Sequence, residues 1–526
     1  MNARHWLFVF LGLLTAVRLS YAACFELFPD EAYYFMWSER MDLSYFSKGP
    51  GVAIAIWLGT HLFGVTEFGV RALSPLLGLG TSLLMFYFAR RLYGKSVAIW
   101  TALMMNLLPI FNVGSLLMTI DPLSIFFWAA ALFTFWLALE RGPMFSRWWP
   151  LTGGLIGLGF LSKYTNAMQL VSILLILLCT AKYRRHLKRP GFYAMLGVFA
   201  LCTLPPIIWN ARHDWVTLAH LSARGGLEEA FGIDPGEFFT FFGAHFGVYS
   251  PLVFGAMLVA IGWGAKKARR HFKPRFLLAF ALPLLVLYFA LALRQAGEAN
   301  WTAPATISLG ILAVALWHEK AHEAPWARRY CGAALGVALA CTLLILNLDL
   351  LRAAGLTLPY ELDPARRGRG WRTAAAKVEE LRARFEQQLG EPLFLIANEH
   401  ETAASLGFYL RDQRRAGPRH PPIYIPAEPV FVDQFSFWPR YDELVPLAPG
   451  QAPPDEYFTE EQGVNPFRGR SALYFTDRAE NRPPTSIQDS FQSWELIACL
   501  AQVRRGLPLR ELRVFVCRNY LDPGVR

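Results

Sequence analysis

The sequence carries little charge for its length and lacks the motifs of nucleotide-dependent enzymes. Only 17% of its 526 residues are Asp, Glu, Lys or Arg, whereas 54% are hydrophobic. Average soluble domains contain about 25% charged residues, so the composition argues against a wholly soluble protein. No Walker loop and no G-x-G-x-x-G turn after a predicted strand occurs. Nothing in the sequence therefore indicates nucleotide binding.

Cysteine is scarce, and the seven cysteines show no metal-ligand spacing, which argues against a zinc-finger type of site. The five that lie in apolar runs are Cys24, Cys179, Cys202, Cys331 and Cys341. Cysteine in such runs acts as a small hydrophobic residue. Cys499 and Cys517 lie in the polar C-terminal part. They could form a disulfide or remain two free thiols, and the sequence does not decide between these possibilities.

Long apolar runs, by contrast, fill the first two thirds of the chain. Runs of about 17–22 residues can cross the hydrocarbon core of a bilayer. About eleven spans are predicted, near residues 6–24, 71–90, 96–113, 121–139, 149–162, 165–181, 191–209, 245–264, 276–293, 302–317 and 330–350. Segment 51–66 is apolar but short, which favours a re-entrant or interfacial helix.

Beyond about residue 355 the apolar runs stop, and charge and proline increase. Alternating patterns in this part predict helices and strands. The predicted elements are helices at 371–389 and 399–410, strands at 392–397, 472–477 and 512–518, and a proline-rich loop region at 412–470. We therefore predict a polytopic α-helical membrane domain, residues 1–352, followed by a soluble α/β domain, residues 353–526.

The net charge of +11 could suggest nucleic acid, but the basic residues are clustered between the predicted spans. The clusters lie at 90–95, 141–147, 182–189, 266–275 and 320–329. The positive-inside bias makes these connections and the N-terminus cytoplasmic. An odd number of spans then places the C-terminal domain outside. The first run imitates a signal peptide, but Arg18 interrupts it and acidic residues follow directly, so we favour a retained span.

Two adjacent carboxylates, Asp30 and Glu31, follow the first span in "FPDEAYYFMW". Either one could simply lie at a helix N-terminus, where negative charge is favourable. Adjacent helical residues face different directions, so one carboxylate can address a substrate and the other the scaffold. Asp121 precedes Pro122 at the start of an apolar run, again a favourable position for a cap. The predicted topology places Asp121 and Asp30 on the same outer face, which favours a shared site.

Three cations, Lys48, Lys163 and Arg294, lie at outer membrane boundaries, against the charge bias. Snorkelling at the end of a span would explain each one singly. Lys and Arg are also the groups that bind an anionic phosphate. Together with the carboxylates they suggest a site for a membrane-anchored phosphate and a hydroxyl acceptor. Arg18 is costly within a span, and we expect it to pair with an acid.

The aromatic stretches 33–37 and 45–46 fit an interfacial belt. They could also stack on a sugar ring, but the belt is the simpler interpretation.

At this point the sequence resembles the polyprenyl-phosphate-dependent glycosyltransferases of the GT-C membrane fold. That family includes bacterial relatives of protein O-mannosyltransferases, the aminoarabinose transferases of lipid A and Rgt-type lipopolysaccharide core transferases. The resemblance is most specific at 28–60, and it continues in "DPLSIFFWAAALFTFWLALE", "GLGFLSKYTN", "EANWTAPA" and "NEHETAASLGFYL".

The resemblance implies sugar transfer from a polyprenyl phosphate to an envelope acceptor, which is lipid A or lipopolysaccharide, another glycan, or a protein. It also implies inversion at the anomeric carbon and a place in the bacterial inner membrane. By the same resemblance, Asp30 is the general base, Glu31 its structural or acceptor-positioning neighbour, and Asp121 the acid of the second outer loop. Lys48 lies where relatives have Lys-Pro-Pro or His-Pro-Pro and would contact the donor phosphate.

Here that stretch is "SKGPG", a departure that leaves the donor and the metal dependence open. Some relatives bind a divalent metal, but no ligand cluster in this sequence requires one. The main alternative function is a transporter or lipid flippase, because intramembrane charge also marks transport paths. Such a protein is expected to have matching halves with broken spans, and no internal repeat is visible. A non-catalytic scaffold would leave Asp30, Lys48 and Asp121 without a role.

Overall fold

The computed structural model describes residues 3–140, 146–226, 232–356, 358–410, 420–426, 430–444 and 465–521. The chain divides into two compact units. The membrane unit comprises residues 1–24 and 41–355, and the tail unit comprises residues 25–40 and 356–526. The apolar runs did not predict that residues 25–40 belong to the tail unit. Such runs distinguish spans from loops, but they do not indicate which core a loop packs into.

The α-helices as far as residue 353 are α1 (Ala3–Cys24), α2 (Pro29–Ser38), α3 (Gly51–Phe63), α4 (Glu67–Arg71), α5 (Leu73–Tyr93), α6 (Lys95–Leu107), α7 (Pro109–Gly114), α8 (Ile120–Glu140), α9 (Trp148–Ser162), α10 (Met168–Cys179), α11 (Ala181–Arg184), α12 (Pro190–Ala211), α13 (Val216–Arg224), α14 (Pro235–Tyr249), α15 (Pro251–Ala268), α16 (Phe272–Leu291), α17 (Ala303–Glu323), α18 (Pro325–Leu346) and α19 (Asp349–Ala353). Short 3₁₀ turns cover Tyr164–Ala167, Arg185–Lys188 and Ala299–Thr302. All of these elements except α2 belong to the membrane unit.

Within the described residues, seven helical stretches are long and apolar enough to cross a membrane. They are Ala3–Cys24, Glu67–Tyr93, Ile120–Glu140, Pro190–Ala211, Phe272–Leu291, Ala299–Glu323 and Pro325–Leu346. Two helix pairs, bent by 111° and 113°, raise the number to nine if each pair is one span. Each predicted span contains a helix, so the helical membrane domain is confirmed. Fewer helices than the predicted eleven, however, are long and apolar enough to cross the bilayer.

The difference in number has a local cause at residues 96–113. Leu108 adopts an extended backbone before Pro109 and so ends α6, and Pro109 begins the short helix α7. A residue before proline is disfavoured in helical conformation. A second predicted segment forms α9, which has only 15 residues. Segment 51–66 contains the short apolar helix α3, as predicted.

Arg18 lies buried among the membrane helices, with 3% of its surface exposed. Its guanidinium donates to the side-chain oxygens of Asn106, at 3.0 Å, and Asn112, at 2.7 Å. The prediction of an acidic partner is therefore wrong. Two amide oxygens hold the charge instead, because a neutral acceptor also satisfies a buried donor.

Helices α9 and α12 approach each other closely at small residues. A Cβ atom on Gly153 would lie 2.1 Å from the backbone oxygen of Met195, and one on Gly157 would lie 2.4 Å from Cβ of Cys202. Membrane helices pack through such small residues because lipid offers no hydrophobic drive for association. Glycine at these positions therefore sets the distance between α9 and α12.

The tail unit contains a four-stranded sheet with helices. Its further helices are α20 (Trp371–Leu389), α21 (His400–Tyr409) and α22 (Thr485–Gln488), its strands are β1 (Phe394–Ala397), β2 (Ala472–Thr476), β3 (Phe491–Arg504) and β4 (Leu507–Tyr520), and its 3₁₀ turns are Tyr360–Leu362, Pro364–Gly368 and Gln434–Phe437. The strand order is β1-β2-β4-β3, with β1 parallel to β2 and the other pairs antiparallel. The rings of Phe394, Tyr441, Phe467 and Phe491 contribute to its core.

The predicted α/β pattern is present, but β3 was missed because most of its residues are at least partly exposed and mix polar with apolar types. Cys499 lies opposite Arg513 and Cys517 lies opposite Trp494, and both thiols are free. Of the predicted loop region 412–470, residues 412–419, 427–429 and 445–464 lie outside the described residues, as does Arg141 of the predicted basic cluster.

Replacing Gly153 by alanine is expected to destabilise the membrane unit. The new Cβ would collide with the backbone of Met195, and such overpacking costs about 1–3 kcal/mol. The melting temperature of the purified full chain in detergent measures the effect.

Gly154→Ala is the matched control, because its Cβ would meet only Cγ1 of Val198, at 3.5 Å. We expect this neighbouring substitution to leave the melting temperature unchanged or to raise it. Equal melting temperatures for the two variants would contradict the close packing of α9 on α12.

Candidate active site

The acid pair lies in the first turn of α2. Phe28 is extended and precedes Pro29, whose missing N–H leaves no donor to satisfy. The Glu31 carboxylate accepts a hydrogen bond of 3.0 Å from the backbone N–H of Phe28, and Glu31 is fully buried. Glu31 is therefore committed to the start of α2, while Asp30, the residue before it, is half-exposed.

The aromatic face of α2 packs into the tail unit. Phe35 meets Phe408 of α21 edge-on at 5.0 Å, and the backbone N–H of Leu27 donates to the Tyr409 hydroxyl at 3.0 Å. The Tyr33 hydroxyl accepts from the backbone N–H of Gln434 at 2.7 Å. These contacts fix α2 on α21 within one core.

The predicted interfacial belt is therefore wrong. Every residue from Tyr33 to Trp37 is buried, and Tyr45 and Phe46 are buried in the membrane unit. A belt and an aromatic core have the same composition, so the sequence alone did not separate them.

Asp30 has a mixed electrostatic environment. Desolvation by the surrounding protein raises the pKa of Asp30 above its usual value, Arg367 lowers it, and Glu401 raises it. Arg367 lies 3.9 Å from the Asp30 carboxylate and 2.7 Å from that of Glu401. Because 49% of the Asp30 side chain is exposed, this carboxylate is accessible to a ligand.

His400, at the start of α21, is a further titratable group near Asp30. Its Nδ1 lies 3.2 Å from the Asp433 carboxylate. Burial alone lowers the pKa of His400, but Asp433, Glu401 and Glu399 together raise it above its usual value. The imidazolium also lowers the pKa of Asp30. His400 lies in the stretch "NEHETAASLGFYL", where no pattern in the sequence distinguishes it from its neighbours.

The membrane unit brings together two of the predicted site residues. Asp121 lies in the first turn of α8, and Lys163 directly follows the end of α9. The Lys163 ammonium donates to Asp121 Oδ1 at 2.7 Å, and the Asn300 side chain donates to Oδ2 at 2.8 Å. Only 10% of the Lys163 side chain and 16% of the Asp121 side chain are exposed. Asn300, which the sequence analysis missed, comes from the "EANW" stretch and completes this group.

Lys48 lies in a tight loop before α3. Its backbone oxygen accepts from the backbone N–H of Tyr45 at 3.0 Å and from the Ser44 hydroxyl at 3.1 Å. His220 of α13 packs against Phe46 at 4.6 Å. Burial lowers the pKa of His220 to about 4, with Lys48 and Arg224 adding to the effect. A neutral imidazole therefore accompanies the Lys48 cation.

Arg294 follows α16 and lies beside the end of α13, since a Cβ atom on Gly226 would be 3.8 Å from Cβ of Arg294. Arg224, in the last turn of α13, lies 5.2 Å from the ring of Trp301. Arg224 was missed, although it too is a cation in a connection predicted to be outside, the criterion that selected Arg294.

The predicted site residues thus fall into both units. Asp30 and Glu31 belong to the tail unit, and Lys48, Asp121, Lys163 and Arg294 belong to the membrane unit.

The donor set around Asp121 does not fit a divalent metal. Both carboxylate oxygens already accept from protein donors, and the Lys163 charge opposes a second cation. Within the described ranges no group of three His, Cys, Asp or Glu side chains could hold a metal ion.

Comparison with known proteins agrees with this arrangement of membrane helices. Residues 47–209 match the family described as dolichyl-phosphate-mannose-protein mannosyltransferase. The lipid A galacturonosyltransferase RgtD of Rhizobium johnstonii is 31% identical over 324 residues, 61% of this chain and 67% of that protein. An undecaprenyl phosphate-alpha-4-amino-4-deoxy-L-arabinose arabinosyl transferase of Pseudomonas paraeruginosa is 30% identical over 224 residues, 39% of this chain and 40% of that protein.

Solved structures show the same fold. ArnT from Cupriavidus metallidurans bound to undecaprenyl phosphate superposes with a TM-score of 0.61, at 18% identity, over 100% of both chains. The apo state of that protein gives a TM-score of 0.60, at 17% identity, over 98% of both chains. The predicted GT-C fold is confirmed. The chain is a multi-pass membrane protein that belongs to the GT-C family of polyprenyl-phosphate-dependent glycosyltransferases.

Proposed function

We propose that this chain transfers a sugar from a polyprenyl-phosphate donor to a hydroxyl group of lipid A or of a lipopolysaccharide core sugar. The observation that carries the proposal is the Asp30 carboxylate, which is half-exposed and has a raised pKa. It lies in the first turn of α2, the start of which is held by the hydrogen bond from the Phe28 N–H to Glu31. The 31% identity to a lipid A galacturonosyltransferase supports this acceptor over a protein or another glycan.

Asp30 is the general base of the proposed reaction. Its carboxylate takes the proton of the acceptor hydroxyl as the oxygen attacks the anomeric carbon. The bond between that carbon and the phosphate oxygen breaks, and the polyprenyl phosphate leaves with the electron pair. General base catalysis typically contributes about 10²–10⁴ in rate. A single displacement inverts the anomeric centre.

The cations of the membrane unit stabilise the departing phosphate. Lys48, Lys163 and Arg294 are the predicted ligands for the negative charge of the phosphate. The Lys163 ammonium has three N–H donors and gives one of them to Asp121. Asp121 acts on Lys163 rather than on the substrate, since both of its carboxylate oxygens already accept hydrogen bonds from protein donors. Arg224, in the last turn of α13, adds a fourth positive charge to the membrane unit.

We also propose an orientation. The basic clusters at the ends of the membrane helices lie in the cytoplasm, and the connections with Lys48, Lys163 and Arg294 lie outside, with the tail unit. This places the reaction on the outer face of the bacterial inner membrane and makes 353–526 an extracytoplasmic domain.

Asp30→Asn is expected to reduce sugar transfer by about 10²–10⁴ while leaving the melting temperature unchanged. The assay gives the purified full chain radiolabelled undecaprenyl-phosphate sugars and lipid A acceptors in liposomes. Asp489→Asn, an exposed position of the same unit, is the matched control and should retain transfer.

Glu31→Ala separates the two members of the pair. It removes the cap on the Phe28 N–H, a loss of about 0.5–2 kcal/mol, and should lower the melting temperature, which Asp30→Asn does not. Full transfer by Asp30→Asn would refute the base assignment. Absence of transfer by the unaltered chain from every lipid-linked sugar would refute the function.

The acid limb of the pH profile is expected to respond to the neighbours of Asp30. Transfer requires the ionised carboxylate, so it falls as the pH drops through the raised pKa of Asp30. Arg367→Gln removes a charge that lowers this pKa and should move the limb to higher pH. Glu401→Gln removes a charge that raises it and should move the limb to lower pH.

The matched controls are Arg384→Gln and Glu380→Gln, two exposed positions on α20. Neither is expected to move the limb. A limb that stays in place in both Arg367→Gln and Glu401→Gln would show that another group limits transfer at low pH.

A further inference from the structure

A cavity lies in the membrane unit, between α6, α15, α17 and α18. Its volume is about 470 Å³, within the range of about 300–1,000 Å³ found for ligand pockets. Most of its lining is apolar, including Trp100, Met104, Val314 and Leu335. None of its lining residues takes part in the proposed transfer.

The walls of this cavity are braced by hydrogen bonds. The Tyr330 hydroxyl donates to the backbone oxygen of Leu252 at 2.6 Å, and the Trp317 indole donates to that of Ala256 at 3.2 Å. The rings of Trp317 and Tyr330 stack at 4.5 Å. These bonds join α15 to α17 and α18, so the cavity is preformed rather than a gap between loosely packed helices.

Three basic side chains, His318, His322 and Arg328, also line the cavity. His318 Nε2 lies 2.7 Å from the Ser96 hydroxyl, and His322 Nδ1 lies 2.8 Å from the backbone oxygen of His318. Arg328 is exposed, and its guanidinium reaches the backbone oxygen of Ala321 at only 3.4 Å. Among the described residues no carboxylate lies within ion-pair distance of Arg328.

The neighbouring acids do not neutralise this group. Glu319 pairs with Lys267 at 3.1 Å, and Glu323 pairs with Lys320 at 2.6 Å. The basic side of the cavity therefore keeps the net positive charge of Arg328.

The cavity lies where an amphiphile would enter. It is bounded by the last turns of α17, which ends at Glu323, and the first turns of α18, which begins at Pro325. Farther along α18, Leu339 and Leu343 are 44% and 48% exposed, as expected of a face in contact with lipid. Basic pockets between membrane helices are recognised sites for anionic lipid head groups.

We propose that this cavity binds one anionic phospholipid, with its acyl chains against the apolar walls and its phosphate at Arg328, His318 and His322. The charge of Arg328 sets the preference for an anionic head group, and the apolar walls exclude a soluble anion. The site is distinct from the residues assigned to sugar transfer and does not depend on that assignment.

Native mass spectrometry of the purified full chain tests the proposal, with phosphatidylglycerol and phosphatidylcholine of identical acyl chains as probes. We expect about fivefold tighter binding of phosphatidylglycerol, since one basic side chain near a membrane surface contributes about 1 kcal/mol. Arg328→Gln should remove this preference. Arg329→Gln changes the adjacent exposed arginine, which does not line the cavity, and should retain it.

Gly332→Phe tests the cavity itself. A Cβ atom on this lining residue would meet no atom within 4 Å, so the ring can fill the space, and binding of both lipids should fall. Equal binding of the two lipids by the unaltered chain, or the same loss in Arg329→Gln as in Arg328→Gln, would overturn the proposal. So would competition by glycerol phosphate, because a soluble anion would then be the ligand.

Discussion

The apolar surroundings of the membrane helices require that each charged side chain among them find its partners within the protein. Lys163 meets this requirement through Asp121, and Asp121 is held in turn by Asn300. Breaking a buried ion pair by removal of one partner typically costs about 3–5 kcal/mol. The pair therefore ties the start of α8 to the end of α9 and keeps the Lys163 charge in place.

Differences in burial and hydrogen bonding separate the roles of the three carboxylates. Asp121 has both oxygens occupied by protein donors, and Glu31 is buried in the cap of α2. Asp30 alone of the three is half-exposed, and its surroundings raise its pKa. A general base must be accessible to the acceptor hydroxyl. Asp30 is the most exposed of the three carboxylates, which is why we propose it as the base.

Features that depend on local sequence were predicted well. Helix α20 spans 371–389 as predicted, because its charge pairs and apolar positions repeat at helical spacing. Pro29 followed by two acids marks the start of α2. Lys163 was selected because it is a cation at a predicted outer boundary, where the positive-inside bias disfavours one. The structure places it beside Asp121.

Features that depend on distant packing were not predicted. Asn300 and His400 gained their partners from elements far away in the chain. We predicted an acidic partner for Arg18, but the side-chain oxygens of two asparagines accept its hydrogen bonds within the bundle. The aromatic residues of α2 have the composition of an interfacial belt, and only the tertiary structure shows that they fill a core.

Direct displacement by a hydroxyl that Asp30 deprotonates is the central claim, and a single-turnover reaction without acceptor tests it most directly. The purified full chain in liposomes would be given radiolabelled undecaprenyl-phosphate sugar, and release of undecaprenyl phosphate and label on the protein would be followed. If the displacement is direct, no undecaprenyl phosphate is released and no label appears on the protein until lipid A is added. Glycosylated lipid A and free undecaprenyl phosphate then form together. Release of one equivalent of undecaprenyl phosphate before acceptor is added, with the sugar bound to the Asp30 carboxylate, would contradict it.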